Sequence, residues 1–166
     1  MDFFIWLESS SVGTWINTSS STFLAYPGIL LVHTLGMTLL VGVNVVIGLR
    51  ILGFAPGVPV METQRLFPIM WTGLVLSTAS GALLLIAKAT TMIVNPAFYI
   101  KMLAIVLAVS TFFVMRAKVF RDPLLDKRPI QMNGKVLAFM SLTLWFLAIT
   151  AGRMMAYIGE AAQFGQ

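Results

Sequence analysis

Residues 22–49 contain no Asp, Glu, Lys or Arg, and three more apolar runs follow at 67–87, 98–115 and 136–158. About 20 apolar residues cross about 30 Å of hydrocarbon at about 1.5 Å per residue, so each run is long enough for one membrane span. Lipid offers no partner to an unpaired backbone N–H or C=O and tolerates no open sheet edge. Consecutive spans of this length are therefore helices. The expected fold is an all-α membrane protein, a four-transmembrane-helix bundle forming a single domain over residues 1–166.

Composition narrows the function classes. Of 166 residues, 58% are hydrophobic and 10% are charged, against about 25% charged in soluble domains. Six acids and eleven bases cannot cover a soluble surface. An ordinary soluble enzyme and a disordered tail are excluded. The chain has no cysteine, which excludes disulfides, thiolate metal sites and lipidated cysteines. The single histidine, His33, rules out a three-histidine zinc site within one chain.

The bases orient the bundle. Arg50 and Arg65 flank the loop between spans one and two. Arg116, Lys118, Arg121, Lys127, Arg128 and Lys135 lie in or beside the loop at 116–135. Basic loops stay in the cytoplasm, so both termini are expected on the periplasmic or other outer side. Tyr26, Tyr99 and Tyr157 fall at the outer ends of their spans, where tyrosines form interfacial belts. The basic loop reads first as a topology signal that attracts anionic lipid. It has no nucleic-acid-binding fold or aromatic platform, so nucleic acid is not an expected partner. Pro123 and Pro129 keep the loop non-helical.

Residues 1–21 lack a basic n-region and a cleavage motif, so they are not read as a signal peptide. Phe3, Phe4, Trp6, Leu7, Val12, Trp15 and Ile16 are interspersed with Asp2, Glu8 and serines. An N-terminal interfacial amphipathic helix is expected.

Small residues mark the packing faces, because lipid supplies no hydrophobic drive between helices and close approach must do the work. Helical spacing aligns His33, Met37, Asn44 and Gly48 on span one, with Thr38 and Gly42 as a small pair nearby. It aligns Gly73, Ser77, Ser80 and Gly81 on span two. Lys101, Ala104, Ala108 and Thr111 align on span three, and Ser141, Trp145, Ala148, Gly152 and Ala156 on span four. Asn44 is expected to hydrogen-bond between helices. The remaining Leu, Ile, Val and Phe are expected to face lipid or a partner.

Candidate chemistry rests on four residues. His33 at membrane depth needs a hydrogen-bond partner or a ligand. It is a candidate axial ligand to haem iron, a proton acceptor at a quinone site, or a neutral imidazole bonded across helices. A second haem ligand would have to be Met102, Met154 or Met155, a histidine of another chain, or none. Arg153 lies inside span four, and Lys88 and Lys101 lie near it in depth. These three cations and His33 form the candidate cofactor-binding set, with Asp2, Glu8 or Glu160 as possible counter-ions. A guanidinium fork suits haem propionates, a quinone carbonyl or a phospholipid phosphate. No catalytic set can be assembled: no acid is expected near His33, and no phosphate-binding loop is present.

The strings H-T-L-G (His33 to Gly36), L-R-I-L-G (Leu49 to Gly53), L-F-P-I-M-W-T-G (Leu66 to Gly73), N-P-A-F-Y-I-K (Asn95 to Lys101) and G-R-M-M-A-Y (Gly152 to Tyr157) stand in this order across nearly the whole chain. Together they resemble an uncharacterised family of small four-helix bacterial inner-membrane proteins. That family often has an acid before L-R at the end of span one; Gly48 stands there here. In layout the chain is loosely similar to copper-resistance and b-type cytochrome membrane proteins. The resemblance implies the bacterial inner membrane and brings no established activity.

The expected role is therefore an integral membrane subunit or accessory protein of a larger assembly, with electron transfer as the candidate process. Haem b or quinone is the candidate cofactor. Other membrane subunits or further copies of the chain are the candidate partners, alongside the bilayer itself. The alternatives are a stand-alone b-type cytochrome or quinone-linked redox protein, and a small transporter or channel.

Overall fold

The computed structural model describes residues 1–19, 25–122, 125–126 and 129–164, and among them the secondary structure is entirely helical. Four long helices are apolar enough to cross a membrane: α3 (Tyr26–Leu52), α4 (Phe67–Ala87, entered through a 3-10 turn at Met61–Leu66), α6 (Pro96–Lys118) and α7 (Met132–Phe164). Two short helices, α1 (Asp2–Glu8) and α2 (Ser11–Thr18), precede them, and α5 (Ala89–Ile93) links α4 to α6.

Local chemistry sets the ends. Span one runs three residues past the expected boundary, because Gly53 supplies the stop. Gly53 takes φ 109°, where glycine carries no Cβ penalty. Phe54 N–H donates to Leu49 O at 3.0 Å and Gly53 N–H to Arg50 O at 3.2 Å, closing the helix with paired carbonyls. Arg50 fits inside the last turn because its guanidinium donates to the Val58 and Pro56 carbonyls of the loop beyond. At the start of α6, Asn95 Oδ1 accepts from Ala97 N–H at 3.0 Å, with Pro96 in the first turn. The last turn of α6 carries Arg116 and Lys118, where cations suit the partial negative charge of a helix C-terminus.

The N-terminal segment is two helices instead of one. The chain breaks at Ser9–Ser10, and Ser10 restarts it by accepting from Gly13 N–H at 3.3 Å. The first is stitched to α5 and the second to the far end of α4. Glu8 Oε2 accepts from Thr90 N–H at 3.0 Å and from its hydroxyl at 2.6 Å, and Asn17 Nδ2 donates to Ala87 O at 2.9 Å. Ile16 is fully buried with Ile29, Leu84 and Ala87, while Phe3, Trp6 and Trp15 are exposed on the other side. The expected residues 20 and 21, and residues 22–24 of span one, lie outside the described residues.

The bundle is two helical hairpins, α3–α4 and α6–α7, joined along α3 and α7. Glycine brings the first pair into backbone contact. A Cβ on Gly36 would lie 2.6 Å from Ser77 N, and one on Gly73 would lie 2.6 Å from Leu40 N. The second hairpin packs on Ala104, Ala108, Ala138 and Ala148, all buried. The α4–α6 side is spanned by rings instead: Phe67 meets Phe112 at 5.2 Å, and Trp71 meets Phe112 and Phe113 at 6.3 and 5.6 Å.

Two face assignments change. Thr38 and Gly42 are exposed, because Gly36 and Leu40 already occupy the contact with α4. Asn44 is buried, but its amide donates to Leu40 O on its own helix at 2.8 Å and not to another helix. Not all large apolar groups face outward either: Ile47, Ile51, Phe67, Phe112 and Phe120 build the core near the basic loops, while Leu103, Val106, Phe139 and Phe146 are exposed on the outer surface.

Candidate functional site

His33 lies about two turns into α3, on the side that meets α4. Its Nδ1 stands 3.0 Å from Ser77 O and 3.2 Å from Ser80 Oγ. A carbonyl only accepts, so Nδ1 carries the proton. Ser80 uses its own hydroxyl proton on Leu76 O, which frees its lone pairs for the same Nδ1–H. The neutral imidazole is thereby fixed as one tautomer, with Nε2 left as a lone-pair acceptor. Gly81 makes room for the ring: a Cβ there would stand 3.1 Å from His33 Cε1.

Lys101 approaches from α6, on the opposite corner of the bundle. Its stem lies over Gly152 of α7, whose absent Cβ would sit 3.6 Å from Lys101 Cδ, Cε and Nζ alike. The side chain is partly buried. Among the described residues no carboxylate pairs with it. Glu8 is committed to Thr90, Asp2 is exposed at the start of α1, and the described ion pair is Arg65–Glu62 at 2.8 Å near the basic loops. The Glu160 side chain lies outside the described residues.

The other two expected cations stand apart from this pair. Lys88 is exposed at the end of α4, with Nζ 5.0 Å from the centroid of the Tyr26 ring, a cation–π contact at the depth of the terminal helices. Arg153 is exposed on α7, beside the glycine that receives Lys101. The structure therefore buries His33 against α4 and Lys101 against α7 in part, and leaves Lys88 and Arg153 on the surface. Of the methionines considered as second haem ligands, Met102 and Met154 are exposed, and Met155 is half-buried.

One polar residue outside the expected set has a clear task. Asp126 accepts from Val60 N–H at 2.6 Å and Met61 N–H at 3.3 Å, at the start of the 3-10 turn. It ties the loop after α6 to the loop after α3. In sequence it looks like one acid diluting a basic run; nothing in its spacing points to a partner 66 residues away.

Comparison with protein-family models, with curated proteins and with solved structures returned no match.

Proposed function

We propose that the chain is an integral membrane subunit or accessory protein of a larger assembly, and that His33 and Lys101 hold the polar head of a membrane-soluble ligand. One observation carries this reading. Lys101 is partly buried and His33 is partly buried at a similar depth, and among the described residues Lys101 has no carboxylate partner and His33 Nε2 no hydrogen bond. Buried charges are stable when paired, so the negative or carbonyl oxygen is supplied by the ligand. A quinone carbonyl, a haem propionate and a phospholipid phosphate share that chemistry. Lys101 donates to the oxygen and Nε2 accepts a proton or binds a metal. Arg153 and Lys88 meet headgroups at the same end, and that end faces the periplasm by the distribution of bases.

The subunit reading follows from what the pair lacks. One histidine cannot give bis-histidine haem ligation within one chain, and among the described residues no carboxylate is paired with His33 or Lys101 to extend a proton relay. A second chain, or a second copy of this one, completes it.

A stand-alone b-type cytochrome is the second reading. It is favoured by the Nδ1–H bond to the Ser77 carbonyl, since metal-ligating histidines commonly donate their other ring N–H to a carbonyl.

The test is the visible spectrum of the purified protein together with mass spectrometry of its extract. A quinone or phospholipid that co-purifies with wild type and is lost in Lys101→Met supports the amphiphile site. A Soret band lost in His33→Ala supports haem. A colourless protein whose extract is identical in wild type and Lys101→Met contradicts both.

A further inference from the structure

A groove of ≈ 410 Å³ runs along the lipid-facing side of the seam between α3 and α7. Val41 and Val45 wall it from α3, and Leu142, Phe146 and Ile149 from α7. Leu142 closes its inner end against α3: a Cβ on Gly48 would lie 3.0 Å from Leu142 Cγ. The other lining residues, Thr143 and Trp145, add no free polar contact. The Thr143 hydroxyl spends its proton on Phe139 O of its own helix at 3.0 Å, and the Trp145 indole nitrogen is buried. The groove therefore presents hydrocarbon. Its walls are bulky, whereas helices that pack in lipid meet on small residues. That shape suits an acyl chain better than another helix.

The α7 wall has a polar continuation. Arg153 follows Ile149 by four residues and Leu142 by eleven, so helical spacing puts all three on one stripe. Arg153 is exposed, and among the described residues it makes no hydrogen bond or ion pair. Tyr157 follows one turn later and is exposed as well. Eleven residues of helix rise about 16 Å, about half of a hydrocarbon core of about 30 Å. A headgroup held at Arg153 thus lays its chain along the groove to Leu142, near the middle of the bilayer.

We propose that this groove binds one anionic phospholipid from the leaflet opposite the basic loops. The Arg153 guanidinium donates to the phosphate, which its planar fork matches. One acyl chain lies against Val41, Val45 and Ile149, and the Tyr157 ring stands at headgroup level. An unpaired cation favours a headgroup of net negative charge over a zwitterionic one, whose own ammonium competes for the phosphate. The site is separate from His33 and Lys101 and does not depend on the ligand proposed for them.

Native mass spectrometry of the full chain released from detergent micelles tests this, with titration by dioleoyl phosphatidylglycerol or dioleoyl phosphatidylcholine. Wild type is expected to take up one phosphatidylglycerol per chain in preference to phosphatidylcholine, whose chains are identical. Arg153→Gln weakens that binding about tenfold, the scale of one hydrogen bond to a charged group. Phe146 is 73% exposed, so Phe146→Ala removes a wall without disturbing the core; it weakens binding about threefold. Lys101→Met leaves binding unchanged. Equal uptake of both lipids by wild type, or full affinity in Arg153→Gln, overturns the proposal. Full affinity in Phe146→Ala also overturns it, because charge alone then holds the lipid. Loss in Lys101→Met with full affinity in Arg153→Gln moves the lipid to the His33 and Lys101 site, and overturns this proposal while supporting that one. A lipid-free wild-type dimer that Phe146→Ala converts to monomer makes the groove an interface between copies, and overturns it too.

Discussion

At the basic-loop end of the bundle, Phe67 stacks edge-on against Phe112 and Phe120 at 5.2 Å each, and Val60, Met115 and Leu125 complete a buried apolar layer. Toward the opposite end α3, α4 and α7 carry Gly36, Ser77, Ser80, Gly81 and Gly152, and the α3 and α4 backbones touch at Gly36 and, midway along α3, at Gly73. The first end is held by volume, the second by proximity and hydrogen bonds. The difference has a functional side. The layer of Phe67, Phe112 and Phe120 is built of apolar rings with no polar side-chain atom of their own. The glycine and serine faces seat the His33 imidazole on Ser77 and Ser80 and the Lys101 stem over Gly152. Under the proposed function, the first end closes the bundle and the second receives the ligand.

The strongest challenge to the comparison is Phe112→Ala. The ring touches both Phe67 and Trp71, so its loss opens a cavity between α4 and α6. Unfolding of the purified protein in graded denaturing detergent is expected to show a loss of about 3–5 kcal/mol. A loss under about 1 kcal/mol would mean that volume is not what holds this end. Gly73→Ala probes the glycine contact between α3 and α4. Its Cβ would meet Leu40 N at 2.6 Å, a backbone atom that cannot swing away. The same titration is expected to show about 1–3 kcal/mol, the usual cost of overpacking; a neutral result would disprove backbone contact.

Smaller effects sharpen the contrast. Asp126→Ala leaves the Val60 and Met61 N–H groups without their acceptor. About 1 kcal/mol is expected, as for a lost helix cap, with faster protease cleavage between α6 and α7. Unchanged cleavage would show that the two loops are not tied in solution. Lys101→Met is expected to change unfolding by less than about 0.5 kcal/mol in ligand-free protein, since it removes a cation with no carboxylate partner among the described residues and keeps the apolar stem over Gly152. A large destabilisation would make Lys101 a structural residue and weaken the ligand reading.

Much of the architecture is legible in the sequence because the bilayer imposes length and apolarity on every span. The four helices and the small-residue faces of α4, α6 and α7 follow from that constraint. Pairing of faces does not. Periodicity places Thr38 and Gly42 on one stripe and Gly36 on another, but not which stripe meets α4; crossing geometry decides, and it favours Gly36. The same limit applies to the site. Depth along each helix groups His33, Lys88, Lys101 and Arg153. Rotation about each helix then sends Lys101 inward and Arg153 outward, and a register count carries no record of that rotation between helices. The imidazole's bonds to Ser77 and Ser80 are one of its anticipated roles. The Asp126 tie depends on two loops meeting, which no periodic pattern encodes.

The central claim is that the receiving end and the closed end face different sides of a membrane. The chain has no cysteine, so single substitutions report cleanly. Ser11→Cys sits beside the receiving end and Gly57→Cys in the loop after α3. With a membrane-impermeant maleimide on intact bacterial spheroplasts, Ser11→Cys is expected to label at once and Gly57→Cys only after permeabilisation. Labelling of both before permeabilisation, or of Gly57→Cys alone, would contradict the account.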